Sequence, residues 1–259
     1  MSDLTDNSFW DQYWEKSKDV AEVSKNFSFE RCLMKFFEKY LEPDKTKTIF
    51  EIGCAPGRWL IFFNTVMEYG VYGLDNSEKG VSLTLNNLQS KKIDAWIENE
   101  DVLNYRPKKQ FDTVISLGFI EHFTGKELER VLDTHVKLTK IGGKLLVGVP
   151  NFRGINEIIQ RRTDNEILEC HNLEIMSIKF FESLAKKYGL KMSFVGYIGS
   201  FEPTLFIFKN KNRITNIIIR AFLKIFQIIR RIEALDGINS PVFSSYLIAV
   251  YEKPGNRND

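Results

Sequence analysis

Ile49-Phe50-Glu51-Ile52-Gly53-Cys54-Ala55-Pro56-Gly57-Arg58-Trp59 decides how this chain is read. An apolar strand enters a glycine turn, and the turn enters an apolar helix running from Trp59 to Met67. Gly53 and Gly57 carry no side chain, so the backbone can bend sharply and a ligand can approach it closely. Pro56 fixes one dihedral of the turn. The N-terminus of the helix then faces whatever lies over the turn. The spacing is G-x-x-x-G. A dinucleotide fingerprint needs G-x-G-x-x-G, and Ala55 stands where its second glycine belongs. A P-loop needs Gly-Lys followed by Ser or Thr, and Arg58-Trp59 follows Gly57 instead.

Downstream, strands alternate with helical patterns, which is the signature of a parallel α/β sheet. Val71 to Asp75 reads as strand two and Ser77 to Gln89 as the helix after it. Asp75 lies 18 positions after Gly57, close to where an acidic residue meets a ribose. Its carboxylate can accept from both hydroxyls of a vicinal diol; N-capping of the next helix is the competing role, which Ser77 can also fill. Ala95 to Glu98 is a short third strand. Phe111 to Ser116 is a fourth, apolar enough to be buried on both faces. Lys126 to Thr139 reads as a helix, with Lys140-Ile141-Gly142-Gly143 as its stop and Lys144 to Val149 as strand five. Ser177 to Tyr188 is a helix ended by Gly189, Leu190 to Ile198 strand six, and Ser245 to Tyr251 strand seven.

Glu51-x-Gly53-x-x-x-Gly57 resembles motif I of class I S-adenosylmethionine (SAM) dependent methyltransferases, and the resemblance runs from about Thr48 to Asn151. It implies a Rossmann-like α/β fold: a seven-stranded mixed sheet with strand seven antiparallel between strands five and six, and helices on both faces. It implies SAM as cofactor and S-adenosylhomocysteine as product. Glu51, Gly53, Cys54, Ala55 and Gly57 would lie beside the methionine portion and Asp75 and Asn76 at the ribose. Asp101 would receive the adenine amine, Val102 would pack on the ring, and Leu117 and Gly118 would border the point where methyl donor and acceptor meet.

The segment Leu117-Gly118-Phe119-Ile120-Glu121-His122-Phe123 resembles the stretch after strand four in small-molecule methyltransferases. No Asn/Asp-Pro-Pro-Tyr and no Pro-Cys is present, which disfavours the amino groups of adenine or glutamine and carbon 5 of cytosine as targets. Glu121-His122 matches part of the metal pattern of ubiquinone-pathway O-methyltransferases. That pattern has another Glu three residues earlier, where this chain has Gly118, so no metal site is expected. Two histidines are the catalytic candidates. His171, in an insertion at 151–176, can take a proton from a hydroxyl or ammonium acceptor. His122 fixes its loop or acts on a proton directly.

Composition excludes several classes. Lys and Arg total 36 against 34 Asp and Glu, a net charge of +2, which argues against a nucleic-acid partner. Cys32, Cys54 and Cys170 are too few and scattered for a disulfide framework or zinc site and suit a reducing compartment. The N-terminus lacks the pattern of a signal peptide, and a cytoplasmic location is expected. Phe9-Trp10-Asp11-Gln12-Tyr13-Trp14 belongs to an expected N-terminal lid, 1–26, on a single domain spanning 1–259. A second insertion, 201–243, separates strands six and seven. Within it Arg213 to Ile232 reads as a greasy helix with one thin basic stripe of Arg213, Asn216, Arg220, Lys224, Gln227 and Arg231. It covers the active site, forms a homodimer face or rests peripherally on a membrane. With 21 Phe, the chain suits a small-molecule or lipid-like acceptor, methylated at oxygen or nitrogen. The alternative is the same fold with other chemistry, aminopropyl transfer or nucleotide binding alone.

Overall fold

A computed structural model describes residues 4–16, 22–163, 165–202, 221, 224–226, 228–229 and 231–255. Seven strands form one sheet: β1 (Thr48–Ile52), β2 (Gly70–Asp75), β3 (Ala95–Asn99), β4 (Phe111–Leu117), β5 (Thr139–Pro150), β6 (Lys191–Ile198) and β7 (Tyr246–Glu252). Their order is β3-β2-β1-β4-β5-β7-β6, and β7 alone runs antiparallel, paired with both β5 and β6. This is the mixed sheet and the strand-seven placement that the sequence implied.

The period-two alternation of the strands builds two apolar layers, one on each face. Phe50 and Ile52 of β1, Val114 of β4 and Leu247 of β7 face one layer, where α5 (Gly125–Leu138) and α8 (Ile178–Tyr188) bring Val131, Leu138 and Phe181. Ile49, Ile115 and Ile248 face the other, where α2 (Ser28–Tyr40), α3 (Arg58–Thr65) and α4 (Glu78–Ser90) bring Phe37, Phe63 and Leu88. Glu51 shares the face of Ile49, so strand geometry turns its carboxylate toward α3 and away from α5.

One boundary differs from expectation. Lys140 to Gly143 is not a helix stop but the start of β5, which already begins at Thr139. Thr139 pairs with Phe111, a bulge follows, and Lys144 then pairs with Thr113. Past the end of β7, Gly142 N–H donates to the Lys253 carbonyl at 2.7 Å and Lys253 N–H to the Gly143 carbonyl at 3.0 Å. Strand pairing on both sides outweighs the local glycine signal.

Two small helices, α6 (Ile155–Thr163) and α7 (Asn165–Glu169), make up most of the insertion after β5. The helix expected over 213–232 falls largely outside the described residues, as does most of its basic stripe. Behind it the chain is clamped to α2: the Arg31 guanidinium meets both carboxylate oxygens of Asp236 at 2.7 Å, with both side chains nearly buried. Among the described residues no helix is long and apolar enough to cross a membrane.

Candidate active site

The carboxyl ends of β1, β2, β4 and β5 open into one cavity of about 590 Å³. Ligands enter open α/β sheets at that edge, and the volume lies in the range of small-molecule sites.

The glycine turn is built differently from its sequence reading. Gly53 N–H and Cys54 N–H both donate to the Leu74 carbonyl, at 2.8 and 3.2 Å, fastening the turn to β2. A Cβ on Gly53 would stand 2.4 Å from the Phe119 ring, and one on Gly57 2.8 Å from the Thr84 methyl. The bare sides of both glycines are therefore taken up by Phe119 and α4 rather than held open for a ligand. Gly53 still lines the cavity, as do Ala55 and Pro56; Gly57 and Cys54 do not. The Cys54 thiol is folded over Gly73 of β2, and burial pushes its pKa well up.

Asp75 sits where its spacing put it. Its Oδ2 accepts from Ala55 N–H at 3.1 Å and its Oδ1 from Ser77 N–H at 3.0 Å. Capping of α4 falls to the Ser77 hydroxyl, which accepts from Gly80 N–H at 2.9 Å. The Asp75 carboxylate is left facing the cavity with Asn76 beside it. Burial pushes its pKa up, and the two backbone donors pull against that. Glu51 lies below the turn and outside the cavity lining. Its Oε2 is buried with no hydrogen-bond partner among the described residues. Burial raises its pKa strongly, the Arg58 charge opposing.

Asp101 and Val102, expected at the adenine, are not among the residues that line the cavity. Asp101 Oδ1 accepts from Leu103 N–H at 2.9 Å and Oδ2 from the Asn104 amide at 3.3 Å, so the carboxylate closes its own turn. Val102 is buried in the core beneath.

The first helix, α1 (Asn7–Lys16), roofs the cavity with Phe9, Trp10, Tyr13 and Trp14. Asp11 Oδ1 accepts from the Ser77 hydroxyl at 2.6 Å, and Asn7 Oδ1 accepts from the Asn76 amide at 2.6 Å. Leu4 N–H donates to the His122 carbonyl at 2.9 Å. Trp14 packs where a Gly80 side chain would be, so α4 offers it a seat.

Opposite the glycine turn, Leu117 and Gly118 lead into a 3₁₀ turn, Ile120–His122. Glu121 and His122 are buried there, and His171 of the insertion lies alongside with its ring 4.7 Å from that of His122. His122 Nδ1 stands 2.8 Å from the Cys170 carbonyl. A carbonyl only accepts, so Nδ1 carries the proton and the Nε2 lone pair faces Glu121 Oε1, 3.9 Å away. Burial pushes the His122 pKa down to about 3 and that of Glu121 up to about 8. His122 is accordingly a weak base near neutral pH, and its expected direct role on a proton is not favoured.

Sequence reading passed over Arg58, Phe119 and Tyr246, all of which line the cavity. Tyr246 opens β7 at the ligand edge, and that position in the topology was the signal available. Asn151 and Asn156, in the insertion after β5, donate to the Ser244 carbonyl at 2.8 and 2.9 Å and hold the chain entering β7 against the cavity floor.

Residues 49–143 match the family model described as a methyltransferase domain. A search of curated protein sequences finds no match. Among solved structures, a protein of echinomycin biosynthesis that converts a disulfide into a thioacetal is similar at a TM-score of 0.63 and 14% identity, over 97% of this chain and 94% of that one. Geranyl diphosphate C-methyltransferase from Streptomyces coelicolor A3(2) gives 0.61 and 13%, over 95% and 97%. The N-methyltransferase NodS from Bradyrhizobium japonicum WM9 gives 0.58 and 13%, over 96% and 100%. Fold and site together define an α/β protein with a ligand cavity at its strand ends. The sheet order is that of the class I methyltransferase fold, within which residues 49–143 match the methyltransferase domain.

Proposed function

We propose that this protein moves a methyl group from SAM to a small, largely apolar acceptor, at oxygen or nitrogen. The observation that carries it is Asp75: a buried carboxylate at the end of β2, held by the backbone of the glycine turn and facing the same cavity as Gly118 and His171. The residues fit the adenosyl group, since a diol can use the lone pairs that Ala55 and Ser77 leave on Asp75. SAM, when bound, supplies a methyl carbon activated by a positive sulfur.

This chain's residues then orient and enclose. Asp75 and Asn76 fix the nucleoside end. Trp10, Tyr13 and Trp14 exclude water from above, which sharpens alignment and protects the charged donor. Trp10, Phe29 and Phe152 give the acceptor end an apolar lining that suits a lipid-like molecule. His171 stands at that end, so a hydroxyl or ammonium acceptor meets an imidazole as it loses its proton. The two neighbours reported to act on geranyl diphosphate and as an N-methyltransferase favour a small-molecule acceptor. Exposed Ile225, Ile228 and Ile232 favour peripheral contact with a membrane or a second copy through the 213–232 segment.

Calorimetric titration tests the reading. SAM is expected to bind one to one, and Asp75→Ala to weaken it by about 2 kcal/mol, roughly thirtyfold in Kd. Absence of SAM binding, or binding indifferent to Asp75→Ala, removes the proposal. Methyl-labelled SAM offered with amine and alcohol acceptors separates methyl transfer from binding alone.

A further inference from the structure

We propose that Glu121, His122 and His171 form a site for one divalent transition-metal cation at the acceptor end of the cavity. One ligand atom from each of the three lies within 4.8 Å of the others. The sequence argued against a metal because Gly118 replaces an acid near the Glu-His pair. The fold supplies a third ligand from elsewhere: the insertion after β5 brings His171 across to the 3₁₀ turn, 49 residues further along the chain than His122.

Three observations converge on it. Glu121 is 1% exposed, and its Oε2 has no hydrogen-bond partner among the described residues. A buried carboxylate left so is costly unless a cation meets it. His122 donates Nδ1–H to the Cys170 carbonyl at 2.8 Å, which holds the Nε2 lone pair outward. That outer hydrogen bond is the usual companion of a metal-binding imidazole. The Cys170 carbonyl immediately precedes His171, so one loop both orients the first imidazole and delivers the second.

Ligand atoms about 2.1 Å from an ion stand roughly 3–4 Å apart, so only a small side-chain adjustment separates the present arrangement from a closed site. Two imidazole nitrogens and one carboxylate suit zinc, iron or nickel better than magnesium or calcium. Three protein ligands leave open positions toward the cavity, where an acceptor oxygen can enter. With an ion bound, His171 is a ligand, and an acceptor hydroxyl is acidified by the cation instead of meeting a base. That role rests on the methyl-transfer reading, whereas ion binding does not.

The test is calorimetric titration of Zn²⁺ into the full chain after chelator treatment, without SAM. One ion per chain is expected at micromolar Kd or tighter, weakened at least tenfold in Glu121→Gln and in His171→Ala. Cys170→Ser, which keeps the carbonyl and removes the only nearby thiol, is expected to bind as before. Circular dichroism confirms that each variant is folded, and titration of SAM into Glu121→Gln separates failure of the ion site from failure of the adenosyl site. No zinc binding, equal binding in both ligand variants, or loss confined to Cys170→Ser overturns the proposal.

Discussion

Gly57 illustrates how one residue can be conspicuous in a sequence for one reason and needed in the structure for another. Its φ of +87° begins α3, and a side chain there would collide with the Thr84 methyl at 2.8 Å. Both conditions exclude alanine. Gly57→Ala is expected to cost about 2–4 kcal/mol in urea denaturation, from left-handed strain plus overpacking, while SAM affinity in the folded fraction changes little. Asp75 was legible because a carboxylate at a strand end, at nucleoside spacing, has few other uses. Asp101 accepts hydrogen bonds within its own turn and does not line the cavity, and nothing in the residues Glu100-Asp101-Val102 distinguishes that placement from ligand contact. His171 was visible as a rare imidazole, but its approach to Glu121 and His122 depends on how the 151–176 insertion folds back, which local sequence does not encode.

At the scale of elements, α1 shows how a helix can hold a place without contributing core. None of its residues is fully buried, and it stays in position by Asp11, Asn7, the Leu4 amide and the edge-to-face contact of Trp10 with His122. Removing residues 1–16 is therefore expected to shift the melting temperature by less than about 4 °C. Turnover is expected to drop on the order of a hundredfold, because water enters and alignment loosens. Differential scanning fluorimetry beside a methyl-transfer assay checks both. Equal loss of stability and activity would make α1 a structural brace only. The aromatic cluster announced this helix in the sequence. The start of β5 was misread because a Gly-Gly pair near a helix end is a strong local signal, and only the long-range pairing of Thr139 with Phe111 and of Gly142 with Lys253 overrides it.

The whole molecule responds to pH through the groups it buries. His135 is fully enclosed between α5 and β4, giving Nδ1–H to the Val131 carbonyl at 2.7 Å and accepting from the Ser116 hydroxyl at 2.9 Å. Burial pushes its pKa down to about 4. The unfolded chain protonates this imidazole near pH 6.5, so its contribution is intact above that value and is lost as pH falls toward 4. Glu51 and Glu121, whose carboxyl pKa values burial raises, act in the opposite sense, so the wild-type slope is a difference. In urea titrations the stability gap between the wild type and His135→Gln should narrow as pH falls from about 6.5 to 4, by up to about 1.4 kcal/mol per pH unit. A gap that stays constant would mean that His135 titrates normally. The antiparallel strand β7 has a consequence for synthesis. Among the described residues it is the sole strand partner of β6 and the outer neighbour of β5, yet it leaves the ribosome some fifty residues after β6. A nascent or prematurely terminated chain that stops short of Tyr246 leaves β5 with a raw apolar border and β6 unattached, which is the form in which this protein is most prone to clump and to be captured by chaperones.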